Sequence, residues 1–144
     1  MDIEVRKATM ADIQAITKLS IQLGYPSQTD EITATNLEWI FGSENDDAFV
    51  ADFKGWVIGW MQVTYVVRLE SKPFCELVGL VVEERARGGG VGKLLVARAM
   101  EWARERGTET LRLRTNVNRK EAHKFYEKIG FTLTKEQRVY GMNL

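Results

Sequence analysis

The sequence predicts an α/β protein folded as one domain over residues 1–144. Three observations carry that expectation. Segments of two-residue alternation are interleaved with segments of helical spacing, in the order β-α-α-β-β-β-α-β-α-β, with a further final strand left open. The run FCELVGLVV at 74–82 is nearly unbroken apolar sequence, as in a strand covered on both faces. The 144 residues suit one core, and a hydrophobic fraction of 44% is enough to fill it.

The elements follow in chain order. Residues 3–8, IEVRKA, alternate as a strand. Ile13, Ile16, Leu19 and Leu23 recur at helical spacing, and Gly24 suits the end of that helix. A second helical pattern runs from Thr29 to Phe41, and SENDD at 43–47 reads as a solvated acidic loop. AFVADF (48–53) and the strand from Trp56 to Val67 are joined by a tight turn at Lys54-Gly55. After the strand at 74–82 comes GGGVG, then a helix to about Arg106 stopped by Gly107. TLRLRT (110–115) alternates as a strand, residues 118–130 form a helix closed by Gly130, and 131–144 supply one or two last strands. The four tryptophans read mostly as core, with Tyr25, Trp39 and Trp60 candidates for lining an acceptor pocket.

Composition narrows the function. Lys+Arg and Asp+Glu number 20 each, so no electrostatic excess marks the chain for nucleic acid or an anionic membrane. One cysteine, Cys75, and one histidine, His123, leave neither a disulfide framework nor a multi-His metal site, and no metal is expected. The N-terminus does not read as a signal peptide, and no apolar run approaches the ~18 residues of a spanning helix. A cytoplasmic protein is the expectation, with a homodimer left open.

The glycines are the sharpest feature. A phosphate loop of the form GxxxxGK[ST] fails, because Arg87 and Leu94 stand where Gly and Ser/Thr are needed. A dinucleotide GxGxxG fails as well. What remains is an anion at a helix start. There the first N–H groups have no internal partner and the helix dipole is positive. Glycine lets a phosphate sit directly on them, and Arg87 and Lys93 add charge. A pyrophosphate-bearing ligand fits that pattern better than a plain flexible loop.

VVEERARGGGVGKLL resembles the acyl-CoA motif of the GNAT superfamily of N-acetyltransferases, matched at Arg87, Gly90 and Gly92. NRKEAHKFYEKIGF (118–131) resembles that superfamily's AHxFYExxGF segment, and the opening elements are similar too. The resemblance covers nearly the whole chain, in order. It implies a mixed central sheet of six to seven strands with about four flanking helices and splayed central strands. It also implies acetyl-CoA as cosubstrate. The pyrophosphate would lie on the N–H groups of Gly88, Gly89, Gly90, Val91, Gly92 and Lys93, and the pantetheine arm would run beside Leu80, Val81 and Val82 like an added strand. Gly79 suits either a bulge near the splay or close packing.

The implied reaction is transfer of an acetyl group to a primary amine of a small molecule or peptide, by direct attack in a ternary complex. By the resemblance Tyr126 is the acid that protonates the departing thiolate; a phenol with pKa about 10 suits that task. Read without it, Tyr126 is a packed helix residue. Glu76, the one carboxylate inside the central strand, is the candidate base; by alternation it shares a face with Val78, Leu80 and Val82. Loss of the amine proton to bulk water is the competing account. Asn118 and Arg119 are both candidate cosubstrate contacts, and Asn118 is the preferred helix N-cap. His123 and Cys75 read as structural. A non-catalytic acyl-CoA-sensing module of the same fold is the alternative function.

Overall fold

The structure is a computed structural model and describes residues 2–144. The chain forms two units, one ending at Arg114 and one beginning at Thr115. The first holds a five-stranded sheet of order β1-β2-β3-β4-β5. Its strands are β1 (Ile3–Lys7), β2 (Asp46–Phe53), β3 (Trp56–Val66), β4 (Phe74–Val82) and β5 (Leu111–Leu113). All neighbours are antiparallel except β4 and β5, which run parallel. Its helices are α1 (Ile13–Gln22), α2 (Asp30–Phe41) and α3 (Val91–Glu105).

Strand pairing sorts the side chains into two faces. Ala48 and Val50 of β2, with Trp60 of β3, pack against Ile13 and Ile16 of α1 and Leu37 and Ile40 of α2. On the opposite face Phe49 pairs with Met61 and Met61 with Leu80. That face takes α3. A Cβ added to Gly59 would lie 3.3 Å from Leu95 and 3.4 Å from Val91. α3 buries Val91, Leu95, Val96, Ala99, Trp102 and Ala103 along one side. Full burial of side chains such as Leu95 or Val96 stabilises by about 1.5–3 kcal/mol each. The helix ends as the sequence suggests: Thr108 N–H donates to Ala103 O and Gly107 N–H to Arg104 O, the Schellman arrangement.

The start of the first unit is held by one arginine. Arg6 Nη1 and Nη2 each donate to an oxygen of Asp12 at 2.9 Å, and Nε donates to Asp52 Oδ2 at 3.1 Å. Asp12 also accepts the Thr9 N–H at 2.8 Å, and Thr9 Oγ1 accepts from Ala11 N–H, which closes a capping box ahead of α1. β1, the turn into α1 and β2 are thus tied to one guanidinium.

The second unit contains α4 (Lys120–Lys128), which ends in a second Schellman arrangement, Phe131 N–H to Tyr126 O. Asn118 is not its N-cap. Arg119 holds that position without a side-chain bond, and the Asn118 N–H donates to Asn116 Oδ1 in a turn before the helix. The expected last strands do not form, so the sheet has five strands rather than six or seven. The alternation lasts only from Phe131 to Thr134. Four polar residues follow, and Val139, Tyr140, Met142 and Leu144 are exposed with no strand partner. A strand without a partner has no ladder to stabilise it.

Two further expectations need correction. Asp46 and Asp47 are not loop residues but open β2. Asp47 accepts Trp102 Nε1–H at 2.9 Å and meets Lys7 and Arg106, so cations recruit the acidic segment into the sheet. The tryptophans are not mostly core. Trp102 is 1% exposed and Trp60 partly buried, but Trp39 on the outer side of α2 and Trp56 at the hairpin tip are 69% and 74% exposed.

Asp12 gives a test of the arginine hub. Burial alone would raise its pKa, but the Arg6 bonds and the Thr9 N–H outweigh it and hold the carboxyl below its ordinary value of 3.8. A carboxylate depressed in the folded state contributes stability above its unfolded pKa and loses it as pH falls through the folded value. Asp12→Asn should therefore cost about 2 kcal/mol at neutral pH. The gap between variant and wild type in urea unfolding should narrow below pH 4. A gap that stays constant down to pH 2 refutes the hub.

Candidate active site

β4 is paired with β3 along its length but with β5 only at Cys75, Glu76 and Leu77. β5 ends at Leu113, and from Val78 onward the second edge of β4 has no strand beside it in the first unit. Leu80, Val81 and Val82 lie on that open stretch. The strand then passes through a single 3-10 turn at Glu84–Ala86 into the glycines and α3.

The glycine loop presents donors. Gly88 and Gly90 have φ of +82° and +85°, a region that L side chains rarely adopt. A Cβ at either position would meet nothing within 4 Å, so conformation and open approach, not crowding, call for glycine here. Gly90 is the N-cap of α3 in the left-handed conformation, and the first helical bond runs from Leu94 N–H to Gly90 O. The N–H groups of Gly88, Gly90, Val91, Gly92 and Lys93 donate to nothing among the described residues. Gly89 N–H is taken by Ala86 O at 3.3 Å, so it is not one of the free donors. Arg87 lies at the loop and turns back, its Nε donating to Val82 O at 3.4 Å. Lys93 is exposed. Clustered free N–H groups at a helix start form an anion site.

Gly79 meets both expectations. The β3–β4 register moves from Gln62↔Gly79 to Val63↔Leu77, so Val78 is an extra residue on β4 and a bulge. A Cβ at Gly79 would also stand 2.9 Å from the Trp60 ring. The bulge corrects the facing of Glu76. Thr64 pairs with Glu76, Gln62 with Gly79 and Trp60 with Val81, so these residues share the α1/α2 face. Leu80 and Val82 fall on the α3 face. One inserted residue shifts the parity of a strand.

Glu76 is half-buried, and Arg114 Nε lies 3.2 Å from its Oε1. Arg114, the first residue past β5, was not a sequence candidate; its alternation with Arg112 on 110–115 was the available signal. Cys75 is fully buried with its Sγ 3.4 Å from Thr108 Oγ1, whose proton goes to Ala103 O at 2.8 Å, a structural position. Trp60 Nε1 is buried and has no hydrogen-bond partner among the described residues. Tyr25 and Trp39 are exposed. In the second unit, the Tyr126 ring makes edge contacts with Phe125 at 5.2 Å and Phe131 at 5.8 Å between centroids. His123 Nε2 lies 2.9 Å from Asn116 O, which supports a structural role. Among the described residues no group of three or more His, Cys, Asp or Glu is placed to hold a metal ion. No helix among them is long and apolar enough to cross a membrane.

Residues 12–131 match the sequence signature described as the acetyltransferase (GNAT) family. The chain is 31% identical over 134 residues to the aminoalkylphosphonate N-acetyltransferase of Salmonella typhimurium, covering 89% of this chain and 84% of that one. It is 28% identical over 96 residues to an uncharacterized N-acetyltransferase of Methanocaldococcus jannaschii, where the match spans 42% of that protein's length. Among solved structures, the aminoglycoside N-acetyltransferase AAC(6')-Iy in complex with CoA superposes with a TM-score of 0.87 at 23% identity, covering 99% of this chain and 95% of that one.

The bulge is testable through its contact. Gly79→Ala should destabilise by about 1–3 kcal/mol, because the ring it meets is rigid. In a Trp60→Phe background the same change should cost less, since the distal ring atoms are gone. Equal costs in the two backgrounds, measured by denaturant unfolding as a double-mutant cycle, refute the contact.

Proposed function

The chain belongs to the GNAT family of acetyltransferases and is an acyltransferase, and from that premise we propose that it transfers the acetyl group of acetyl-CoA to the primary amine of a small molecule or peptide. Both units form one acetyltransferase domain in this reading, since the family match runs across residues 12–131. A cytoplasmic location belongs to the same reading. The observation that carries it is the set of free N–H donors at Gly88 and at Gly90 to Lys93, in the loop that follows the open edge of β4. A pyrophosphate suits the donors and an extended pantetheine amide chain suits the edge.

Each residue then has a task. Gly88, Gly90, Val91, Gly92 and Lys93 offer N–H groups to the pyrophosphate, with Gly89 shaping the loop and Arg87 and Lys93 supplying charge. Leu80, Val81 and Val82 offer backbone groups to the pantetheine, and an N–H near Val82 polarises the thioester carbonyl. The amine attacks that carbon directly in a ternary complex. The carbon–sulfur bond breaks, the thiolate takes a proton from the Tyr126 hydroxyl, and the amine gives up one proton. In this reading Glu76 receives it; its Oε1 is paired with Arg114, which leaves Oε2 for the proton. Asn118 and Arg119, both exposed, remain candidates for contacts to CoA. The relatives' names span aminoglycosides and aminoalkylphosphonates, which supports a small-molecule amine as acceptor.

Gly90→Glu should abolish acetyl-CoA binding by calorimetry, because it sets a carboxylate and a strained backbone where the phosphates belong. Binding by the folded variant within about twofold of wild type, under ~0.5 kcal/mol, overturns the anion site.

Tyr126→Phe should lower the turnover number by about one to two orders of magnitude with little change in acetyl-CoA affinity. Thiol release across an amine panel measures it. An unchanged turnover number, with chemistry rate-limiting, makes Tyr126 structural.

A further inference from the structure

At the end of the sheet away from the glycine loop, an open cleft of about 250 Å³ lies where β4 begins and α3 has ended. Phe74, Ser71, Lys72, Arg106, Glu109 and Arg112 are among its lining residues. At ~3.3 Å per strand residue, β4 separates it from the glycine loop by about 25 Å.

Its charges do not balance. Glu109 faces Lys72 at 3.9 Å, and Arg106 meets Asp47 at 3.7 Å. Arg112 is half-buried with its guanidinium carbon 3.9 Å from the centroid of the buried Phe74 ring. Arg68, also half-buried, stands 5.3 Å from the same centroid. Neither guanidinium forms an ion pair or donates a hydrogen bond among the described residues. Two cations on one ring repel each other, and partial burial weakens the screening by water.

The chemistry of that pair is specific. Stacking on an aromatic ring uses the face of a guanidinium and leaves its in-plane N–H fork unspent, and that fork matches an oxyanion. A second, independent observation sits in the same cleft. Ser71 Oγ is buried and has no hydrogen-bond partner among the described residues. A buried orphan hydroxyl is rare in folded proteins and calls for a partner.

We propose that this cleft binds a small oxyanion, a phosphate, phosphonate or carboxylate group, through the Arg112 fork and the Ser71 hydroxyl, with Arg68 adding charge from beside it. The volume is below that of a typical cofactor pocket and suits a compact anion rather than a nucleotide. The proposal does not depend on the acetyltransferase reading.

The test is calorimetric titration of the full chain with inorganic phosphate. The Gly90→Glu variant removes the competing site at the glycine loop, so phosphate binding that survives in it reports the cleft. Expected is a site retained in Gly90→Glu, weakened about tenfold by Arg112→Lys, which keeps the charge and stem but not the fork. Ser71→Ala should weaken it by a smaller factor. Circular dichroism confirms that each variant folds, and Ser71→Ala keeps the test open if Arg112→Lys does not. Three results overturn the proposal: no phosphate binding in Gly90→Glu, wild-type affinity in Arg112→Lys, or wild-type affinity in Ser71→Ala.

Discussion

β4 is bonded to β3 from Phe74 to Val82, but β5 accompanies it over only Cys75, Glu76 and Leu77. Past that point its second edge carries backbone donors and acceptors with no ladder to enter. Removing backbone polar groups from water without giving them partners costs free energy. The edge is therefore stable while it faces solvent or an extended guest, and the placing of the other parts follows from it. β5 ends at Leu113, opposite Leu77. α3 follows the strand after a 3-10 turn and the glycine loop, and its first N–H groups are free. In the proposed reading, a guest that pairs with the edge reaches the glycine loop at the end of the strand.

The bulge at Val78 lies where β5 stops. An extra residue increases local twist and bends the strand that carries it. The bend comes where β4 loses a neighbour, so the distortion breaks no ladder on that side. Trp60 closes over Gly79, and only a residue without a Cβ leaves room for the ring. The open edge and the packed indole are two sides of one local geometry, and Gly79 is where the sequence encodes both.

Most elements were legible because burial writes a period into the chain. The alternation of β1 and β3, the unbroken run of β4 and the stripe of α3 each announce which faces are covered. The glycine loop was legible because four glycines around a helix start have few other uses. Parity across β4 was not, because counting by two says nothing of an inserted residue; Glu76 was therefore grouped with Leu80 and Val82 instead of Gly79 and Val81. Asp46 and Asp47 looked like solvated loop because their partners, Trp102, Lys7 and Arg106, are remote in sequence. Trp56 looked like core, and Trp39 like core or pocket lining, because residue type states a preference and not a position. Asn118 lost the cap because Asn116, two residues earlier, supplies the side-chain bond that turns the chain.

A formal charge of zero conceals how unevenly the charges are placed. Around Arg6 and around Asp47, cation and anion meet within hydrogen-bond or ion-pair distance, and both clusters tie strands to neighbouring elements. Those pairings serve the fold. Along β5 the balance fails, since Arg112 and Arg114 project toward one face and Glu76 answers only Arg114. The bulge decides which face that is. It turns Glu76 toward the α1/α2 side and leaves Leu80 and Val82 on the α3 side. In the proposed reaction, an acceptor that gives its proton to Glu76 would approach from the α1/α2 face, the side of Arg112 and Arg114, while the acetyl donor would take the edge. A single inserted residue in β4 separates the two approaches.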